Sequence, residues 1–358
     1  MATINFNNAV SIKDAADMIE AYGERITVVL KGEPGIGKST VLKMLMARLG
    51  DRYDDIYADC PVLDLSDIVM RIPNHDTKSL ESYVSSLFKL DSPKPKIIML
   101  DEFMKTNKLL QTLFTRLMLE RTVGDIPLPA GSIVFATSNN SSDGVGDTML
   151  AHAGNRVMIL NVRKSTAPEW NVWATDNNIS PIVRAWVAMN PRCLASYLDG
   201  GQDENPYIFN PSRRELSFVT PRSLAKADVI ARSSDKMGSR LTQAALAGTI
   251  GMAAAESMAA FMTLEKELVS VKTIIDDPDN TPIPEKPAAL FLTMFNAIDT
   301  IETQDDLSAF MTFVNRVKSE EVQSVFFTMA FQSKRTVRLA KNNAQIRDWA
   351  KTNYELLI

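Results

Sequence analysis

The first half of the chain alternates short apolar runs with segments in which apolar residues recur every three or four positions. The runs have the length of buried strands, and the segments between them have the spacing of amphipathic helices. Alternating strands and helices are typical of a parallel sheet covered by helices on both faces. We therefore predict an α/β domain over residues 1–163, with strands at 26–31, 56–63, 96–100 and 132–137.

Local residue patterns predict where two of the helices begin. Ser11 precedes a helical pattern, and Asp14 stands where it would complete a capping box. That pattern stops at Gly23, a residue type that often ends helices. Thr106 is a candidate cap for a later helix over 107–121.

The strand pattern stops after residue 163, and the remaining sequence has helical spacing. Helices are predicted at 168–178, 181–189, 221–233 and 239–264. A proline-rich stretch follows, which no helix interior tolerates. We predict a helical domain over 164–273, a linker over 274–287 and a second all-helical domain over 288–358.

Composition and charge narrow the class of protein. A net charge of −4, with 45% hydrophobic and 23% charged residues, argues against a disordered chain and against a strongly basic nucleic-acid binder. Two cysteines and two histidines do not predict a disulfide framework or a structural zinc site. The first residues lack a secretory pattern, and the apolar stretch 241–262 contains polar residues. We expect a cytoplasmic protein with that stretch as a buried helix.

A phosphate-binding motif, G-x-x-x-x-G-K-[ST], follows the first predicted strand and precedes a helix. Its glycines allow backbone N–H groups to surround phosphate oxygens, and the helix N-terminus adds positive charge. Lys38 is expected to reach the β- and γ-phosphates, and Ser39 is expected to offer its hydroxyl to Mg²⁺. The predicted nucleotide-binding residues are Gly32, Glu33, Pro34, Gly35, Ile36, Gly37, Lys38, Ser39 and Thr40.

Two acids directly follow the predicted strand 96–100. Asp101 could hold the Mg²⁺ ion together with Ser39, and Glu102 could orient and deprotonate an attacking water. Kinases need no water-activating glutamate, and the Asn-Lys-x-Asp pattern of guanine recognition is missing from the sequence. The pair therefore favours hydrolysis of ATP with Mg²⁺.

A polar residue also follows the last predicted strand of the first domain. Asn139 lies where its side chain could bind the γ-phosphate or the lytic water. We expect this strand to lie between the strand of the phosphate-binding loop and the strand of Asp101.

The segment from Asp101 to Asn140, DEFMKTNKLLQTLFTRLMLERTVGDIPLPAGSIVFATSNN, resembles the corresponding motifs of MoxR-type AAA+ ATPases. The resemblance spans about residues 10–265 and continues through HAGNRVMIL and Thr220-Pro221-Arg222-Ser223-Leu224. It implies a P-loop αβα sandwich followed by a helical lid over 164–273. It also implies a ring-shaped homo-oligomer, in the family typically a hexamer.

The resemblance assigns catalytic roles to three residues besides Glu102. Asn139 matches sensor 1, Arg156 the arginine finger and Arg222 sensor 2. A guanidinium can neutralise charge on the transferred phosphoryl group, and Arg156 would act on a neighbouring subunit. Arg163 and Arg121 are nearby alternatives for the finger. Asn140 replaces a proline that is common in the family.

Three functional hypotheses remain open at this point. The first is a MoxR-like motor that remodels a protein client, for which the resemblance implies a von Willebrand factor A-domain partner. The second is a DNA-directed motor or loader, because Lys334, Arg338 and Lys341 would share one face of a C-terminal helix. The third is a nucleotide-gated scaffold with little turnover. The negative net charge makes nucleic acid the less expected partner.

Overall fold

The computed structural model describes residues 9–140, 155–213 and 215–353. The chain divides into two compact units, Met1–Lys164 and Ser165–Ile358. The first boundary lies one residue from the one predicted from sequence.

The first unit is built from nine strands and three helices within its described residues. The strands are β1 Val28–Lys31, β2 Asp54–Asp59, β3 Val69–Asn74, β4 Ser79–Val84, β5 Lys96–Asp101, β6 Thr122–Val123, β7 Ile126–Pro127, β8 Ile133–Ser138 and β9 Met158–Asn161. The helices are α1 Ile12–Tyr22, α2 Thr40–Leu49 and α3 Lys108–Glu120.

Five of these strands form one parallel sheet in the order β2-β5-β8-β1-β9. The four predicted strands are all in it, with shifted ends, and β8 lies between β1 and β5 as expected. Two features were not predicted. Strand β9 is a short, half-buried edge strand, and the β3–β4 hairpin is mostly exposed, so neither has the apolar run of a buried strand.

Alternating side chains place the two faces of the sheet against different helices. Val28 and Leu30 of β1 pack in one hydrophobic cluster with α1 and α2, whereas Val29 packs in the opposite cluster with α3. This two-sided burial confirms the predicted α/β architecture.

Helix ends agree with the sequence at α1 and differ at α3. Ser11 caps α1 in a capping box with Asp14, and the helix ends at Gly23, as predicted. The predicted cap of α3, Thr106, is wrong by one residue. The side chain of Asn107 accepts the hydrogen bond from the Leu110 N–H at 3.0 Å, because Asn107 is the residue in extended conformation before the first helical turn.

The described part of the second unit is helical. Its helices are α4 Ala167–Asp176, α5 Pro181–Met189, α6 Pro221–Arg232, α7 Ser234–Ile250, α8 Met252–Glu265, α9 Val271–Asp276, α10 Pro287–Thr300, α11 Gln304–Arg316, α12 Glu320–Gln332, α13 Val337–Asn342 and α14 Ala344–Thr352. The helix predicted over 239–264 is two helices, since Gly251 between them has φ 86°.

One hydrophobic core joins the helices on both sides of the predicted linker. It includes Trp186 of α5, Leu246 of α7, Phe295 of α10 and Phe326 of α12. The predicted separation of 164–273 from 288–358 therefore differs from the observed packing. Arg316 contributes to this continuity by donating to the carbonyl oxygens of Pro278 and Thr281 at 2.6 and 2.9 Å.

The predicted basic helix near the C-terminus is not a single helix. Lys334 lies in a turn before α13, so it does not share a helical face with Arg338 and Lys341. Buried Ala340 and Ile346 instead place α13 and α14 in the core. Of the helices the structure describes, none combines the length and apolar character needed to cross a membrane.

Candidate functional site

The predicted phosphate-binding loop connects the end of β1 to the start of α2. Gly35 and Gly37 have φ angles of 77° and 104°, in the left-handed region that glycine adopts without a Cβ clash. The N-terminus of α2 therefore follows a turn whose backbone can direct N–H groups at an anion. Thr40 stabilises the turn by donating its hydroxyl to the Gly37 carbonyl at 2.6 Å.

Other loop residues act through their backbone or their packing. The Ile36 side chain is buried in the core, so it anchors the loop rather than facing a ligand. Pro34 has no N–H to donate. The predicted loop residues whose side chains could bind an ion or a phosphate oxygen are therefore Glu33, Lys38 and Ser39.

The Lys38 ammonium group lies at the centre of the loop and is almost fully buried. Its Nζ donates to the carbonyl oxygens of Gly32 and Glu33 at 2.7 and 2.8 Å. It also donates to Oδ1 of Asn139 at 3.0 Å. The structure therefore brings the predicted phosphate-binding lysine and the predicted sensor residue into direct contact.

Asp101 lies at the carboxyl end of β5 and accepts hydrogen bonds from three hydroxyl groups. Ser39 Oγ lies 3.2 Å from its Oδ2, Tyr57 OH lies 2.8 Å from the same oxygen, and Thr137 Oγ1 donates to Oδ1. The two predicted Mg²⁺ residues, Ser39 and Asp101, are thus neighbours. Tyr57 and Thr137 were not predicted as site residues, although both lie on the strands beside β5.

Glu102 is held in a left-handed backbone conformation, with φ 51° and ψ 33°. A non-glycine residue pays on the order of 1 kcal/mol or more for this conformation and adopts it when its surroundings enforce it. The Glu102 N–H donates to Thr137 Oγ1 at 3.1 Å, and the Glu102 carbonyl accepts from the Lys105 N–H at 2.8 Å. These bonds fix the turn that directs the Glu102 side chain away from the strand.

The Glu102 carboxylate lies between an amide and an ammonium group. Asn139 Nδ2 lies 3.4 Å from Oε1, and Lys105 Nζ lies 2.6 Å from Oε2. The side chain of Glu102 remains 37% exposed, so water can reach it. Lys105 was not predicted as a site residue, although its position three residues after Glu102 made the contact recognisable.

Glu33 and Lys164 form a buried ion pair beside the phosphate-binding loop. The Lys164 Nζ lies 2.9 Å from Glu33 Oε2, and the two side chains are only 3% and 5% exposed. Lys164 is the last residue of the first unit. Lys164 was not predicted from the sequence, because its contact with Glu33 depends on the packing of the chain after β9.

The candidate arginines lie in different surroundings. Arg156 is exposed in the turn before β9, and the first three residues of the HAGNRVMIL segment lie outside the described residues. Arg163 donates to the Lys164 carbonyl at 3.1 Å. Arg121 is hydrogen-bonded within the first unit: its guanidinium donates to Thr27 Oγ1 at 2.6 Å and to the Gly23 carbonyl at 3.0 Å.

Burial lowers the pKa of the Arg121 guanidinium, because the charged form is desolvated. These bonds hold the Arg121 guanidinium inside the first unit, which argues against Arg121 as the predicted arginine finger. Arg222 lies in the second unit on the first turn of α6, where Thr220 caps the helix through Ser223.

The donor groups of the loop fit a magnesium nucleotide. The Ser39 hydroxyl of the loop and the Asp101 carboxylate at the end of β5 are hard oxygen ligands of the kind that Mg²⁺ binds. The Lys38 ammonium, the positive-φ glycines and the start of α2 supply the positive charge that polyphosphate requires. The same edge of the sheet also holds a candidate base, Glu102, and a polar side chain, Asn139.

One protein-family model matches part of the first unit. Residues 28–143 match the model of the ATPase family associated with various cellular activities (AAA), so this part of the chain carries the pattern of an AAA ATPase domain. A search of curated proteins found no match.

Solved structures give remote likenesses. A Cytophaga hutchinsonii protein assigned as an ATPase is 15% identical, with 78% of this chain and 92% of that chain covered and a TM-score of 0.32. The Thermotoga maritima RuvB Holliday junction branch migration motor is also 15% identical, with 87% and 89% covered and a TM-score of 0.35.

Proposed function

We propose that the chain is a Mg²⁺-dependent ATPase whose hydrolytic site lies at the carboxyl edge of the sheet in the first unit. The observation that carries the proposal is a continuous row of contacts from Lys38 through Asn139 to Glu102, beside the Ser39–Asp101 pair. The row supports the proposal that Lys38 binds phosphate, Asn139 acts as a polar sensor and Glu102 acts as the general base. The AAA pattern over residues 28–143 supports the same activity.

Each residue then has a chemical task in hydrolysis. The loop backbone and Lys38 bind the phosphates, and Ser39 and Asp101 would hold Mg²⁺, which would supply positive charge to the phosphoryl oxygens. Glu102 accepts a proton from the attacking water. Asn139 fixes the water or the γ-phosphoryl oxygen by hydrogen bonding, because its amide already lies between Lys38 and Glu102.

We further propose that the ATPase acts as a ring-forming homo-oligomer of the MoxR-like type, located in the cytoplasm, that remodels a protein client. The sequence motifs from Asp101 to Asn140 and around Arg222 support this, as does the exposure of Arg156. An exposed arginine in the turn before an edge strand is available to a neighbouring subunit. A hexamer and a von Willebrand factor A-domain partner are part of this proposal.

A DNA-directed motor remains the second candidate, and its support is weaker than the sequence suggested. The three basic residues on which it rests do not share a helix face, and Lys334 lies 3.9 Å from Asp176 in an ion pair. The net charge of −4 also disfavours salt-sensitive DNA binding.

Measuring ATP turnover of the purified full chain with Mg²⁺, with EDTA, and with and without duplex DNA distinguishes the candidates. We expect turnover that EDTA abolishes and that DNA leaves unchanged. Stimulation by DNA that declines steeply with added salt would favour the DNA-directed motor. ATP binding without turnover would favour a nucleotide-gated scaffold.

A further inference from the structure

Glu33 places a carboxylate inside a loop that has to attract polyphosphate. Its own carbonyl oxygen accepts a hydrogen bond from the Lys38 ammonium at 2.8 Å, so the residue belongs to the wall of the candidate phosphate site. A negative side chain at this position opposes the binding of an anionic ligand through Coulomb repulsion, which is strong where water is excluded.

Lys164 lies where it cancels that charge. The ion pair is 2.9 Å long, and the two side chains are only 3% and 5% exposed, so solvent screens it little. A buried carboxylate without a partner is strongly disfavoured, and the same holds for a buried ammonium group. The formal charges of the two side chains therefore offset each other beside the candidate phosphate site.

The backbone around Lys164 lies close against the loop. A Cβ atom on Gly32 would come within 2.6 Å of the Val162 carbonyl oxygen, so a larger residue would push the two segments apart. Val162 also donates its N–H to the Lys31 carbonyl at 2.6 Å, and Arg163 donates to the Val10 carbonyl at 3.0 Å. These contacts fix the position from which Lys164 reaches Glu33.

We propose that Lys164 sets the nucleotide affinity of the phosphate-binding loop by neutralising Glu33, so that its contribution grows with the negative charge of the bound nucleotide. The proposal rests on nucleotide binding by this loop, which is part of the proposed function. It assigns Lys164 as an affinity-determining residue that acts through Glu33 rather than by touching the phosphates.

The test measures equilibrium binding of ADP and ATP, in EDTA to prevent turnover, by the full-length wild type, K164M, E33Q and the double variant E33Q/K164M. K164M should weaken ATP binding by on the order of tenfold, with a smaller loss for ADP. E33Q should not weaken ATP binding and should raise the ATP-to-ADP affinity ratio. The double variant, which is neutral at both positions, should return to within about threefold of wild type.

A second buried pair in the same unit provides the matched control. Lys96 and Asp54 lie 2.6 Å apart, and the Lys96 side chain is fully buried. Lys96 begins β5, at the opposite end of the strand from Asp101. K96M should lower thermal stability but leave the ATP-to-ADP affinity ratio of the folded protein unchanged.

The outcomes separate this proposal from the proposed function. Failure of the wild type to bind either nucleotide would overturn both. If the wild type binds and the two single variants lose ADP and ATP affinity equally, Lys164 has only a packing role and the inference is wrong. If K164M does not fold, the ATP affinities of E33Q and the double variant still test the proposal. A loss of ATP affinity in E33Q would contradict it.

Discussion

Asn139 Oδ1 accepts a hydrogen bond from Lys38 Nζ at 3.0 Å, although the two residues are 101 positions apart in the chain. The contact exists because β1 and β8 are neighbours, so that the loop after one strand lies beside the end of the other. The Asn139 amide also faces Glu102. Asn139 therefore lies between Lys38, the candidate phosphate-binding residue, and Glu102, the candidate base. We expect its loss to affect catalysis more strongly than ATP binding.

Replacing Asn139 by alanine should separate catalysis from binding. We expect N139A to lower ATP turnover by about 10²-fold, since it removes a positioned polar group, with less than about a threefold change in ATP affinity. Steady-state turnover and equilibrium binding on the same preparation measure both. The neighbouring variant N140A is the control. An equal loss in N140A would mean that the segment, rather than the Asn139 amide, is responsible.

Replacing Lys38 by alanine should act mainly on binding. The variant loses the buried ammonium group at the centre of the loop, so ATP affinity should fall by about tenfold or more. Lys43, which is exposed on α2, provides a matched control: K43A removes a lysine from the helix that follows the loop without changing the loop itself. Unchanged ATP affinity in K38A would contradict the phosphate-binding interpretation.

The exposed position of Arg156 predicts catalysis across a subunit interface. R156A should fold, bind ATP and lose turnover by about 10³-fold, as expected when a phosphoryl-transfer arginine is missing. Mixing R156A with K38A should restore part of the activity, because an intact loop can then face an intact arginine.

Subunit exchange in that mixture has to be verified by pull-down of differently tagged chains. Background activity after proven exchange would show that Arg156 does not act in trans. R163A, tested in the same way, would then identify the remaining alternative, since Arg121 is held by Thr27 and Gly23.

The Asp54–Lys96 pair predicts part of the acid sensitivity of the first unit. The hydrogen bond from Lys96 lowers the pKa of Asp54 below its ordinary value of 3.8. The stabilisation that Asp54 gives through this hydrogen bond is therefore fully present above the pKa that Asp54 has in the unfolded chain. It is lost as the pH falls through the lower pKa that Asp54 has in the folded protein.

D54N isolates this contribution. It should be less stable than wild type by about 1.5–3 kcal/mol at neutral pH, because the buried Lys96 ammonium loses its carboxylate partner and keeps only the Ser92 carbonyl as an acceptor, at 2.9 Å. The difference in unfolding free energy should stay constant above about pH 5 and shrink at more acidic pH. Denaturant titrations across this range test it, and a difference independent of pH down to acid unfolding would contradict the assignment.

Features encoded in short segments were predictable from the sequence. The Ser11–Asp14 capping box, the loop around Lys38 and the Asp101–Glu102 pair each depend on residues close together in the chain. Their residue types restrict the local backbone or supply recognisable chemistry. The parallel sheet followed because buried strands need continuous apolar runs.

Features that depend on packing between distant segments were not predictable in the same way. Tyr57 reaches Asp101 because β2 pairs with β5, and Lys164 reaches Glu33 because the chain after β9 passes beside the loop. The half-buried strand β9 carries too weak an apolar pattern to be recognised. The proline-rich stretch was interpreted as a linker between two domains, whereas one core spans both sides of it. Prolines end helices, but they do not separate the hydrophobic side chains that pack on either side.

The turnover of E102Q with saturating Mg²⁺ and ATP tests most directly whether Glu102 is the catalytic base. Glutamine keeps the shape of the side chain and its contact with Asn139, but it cannot accept the proton from water. We expect ATP affinity close to that of wild type and turnover lower by about 10²- to 10⁴-fold. Turnover near the wild-type rate, with ATP bound, would contradict the assignment of Glu102 as the base.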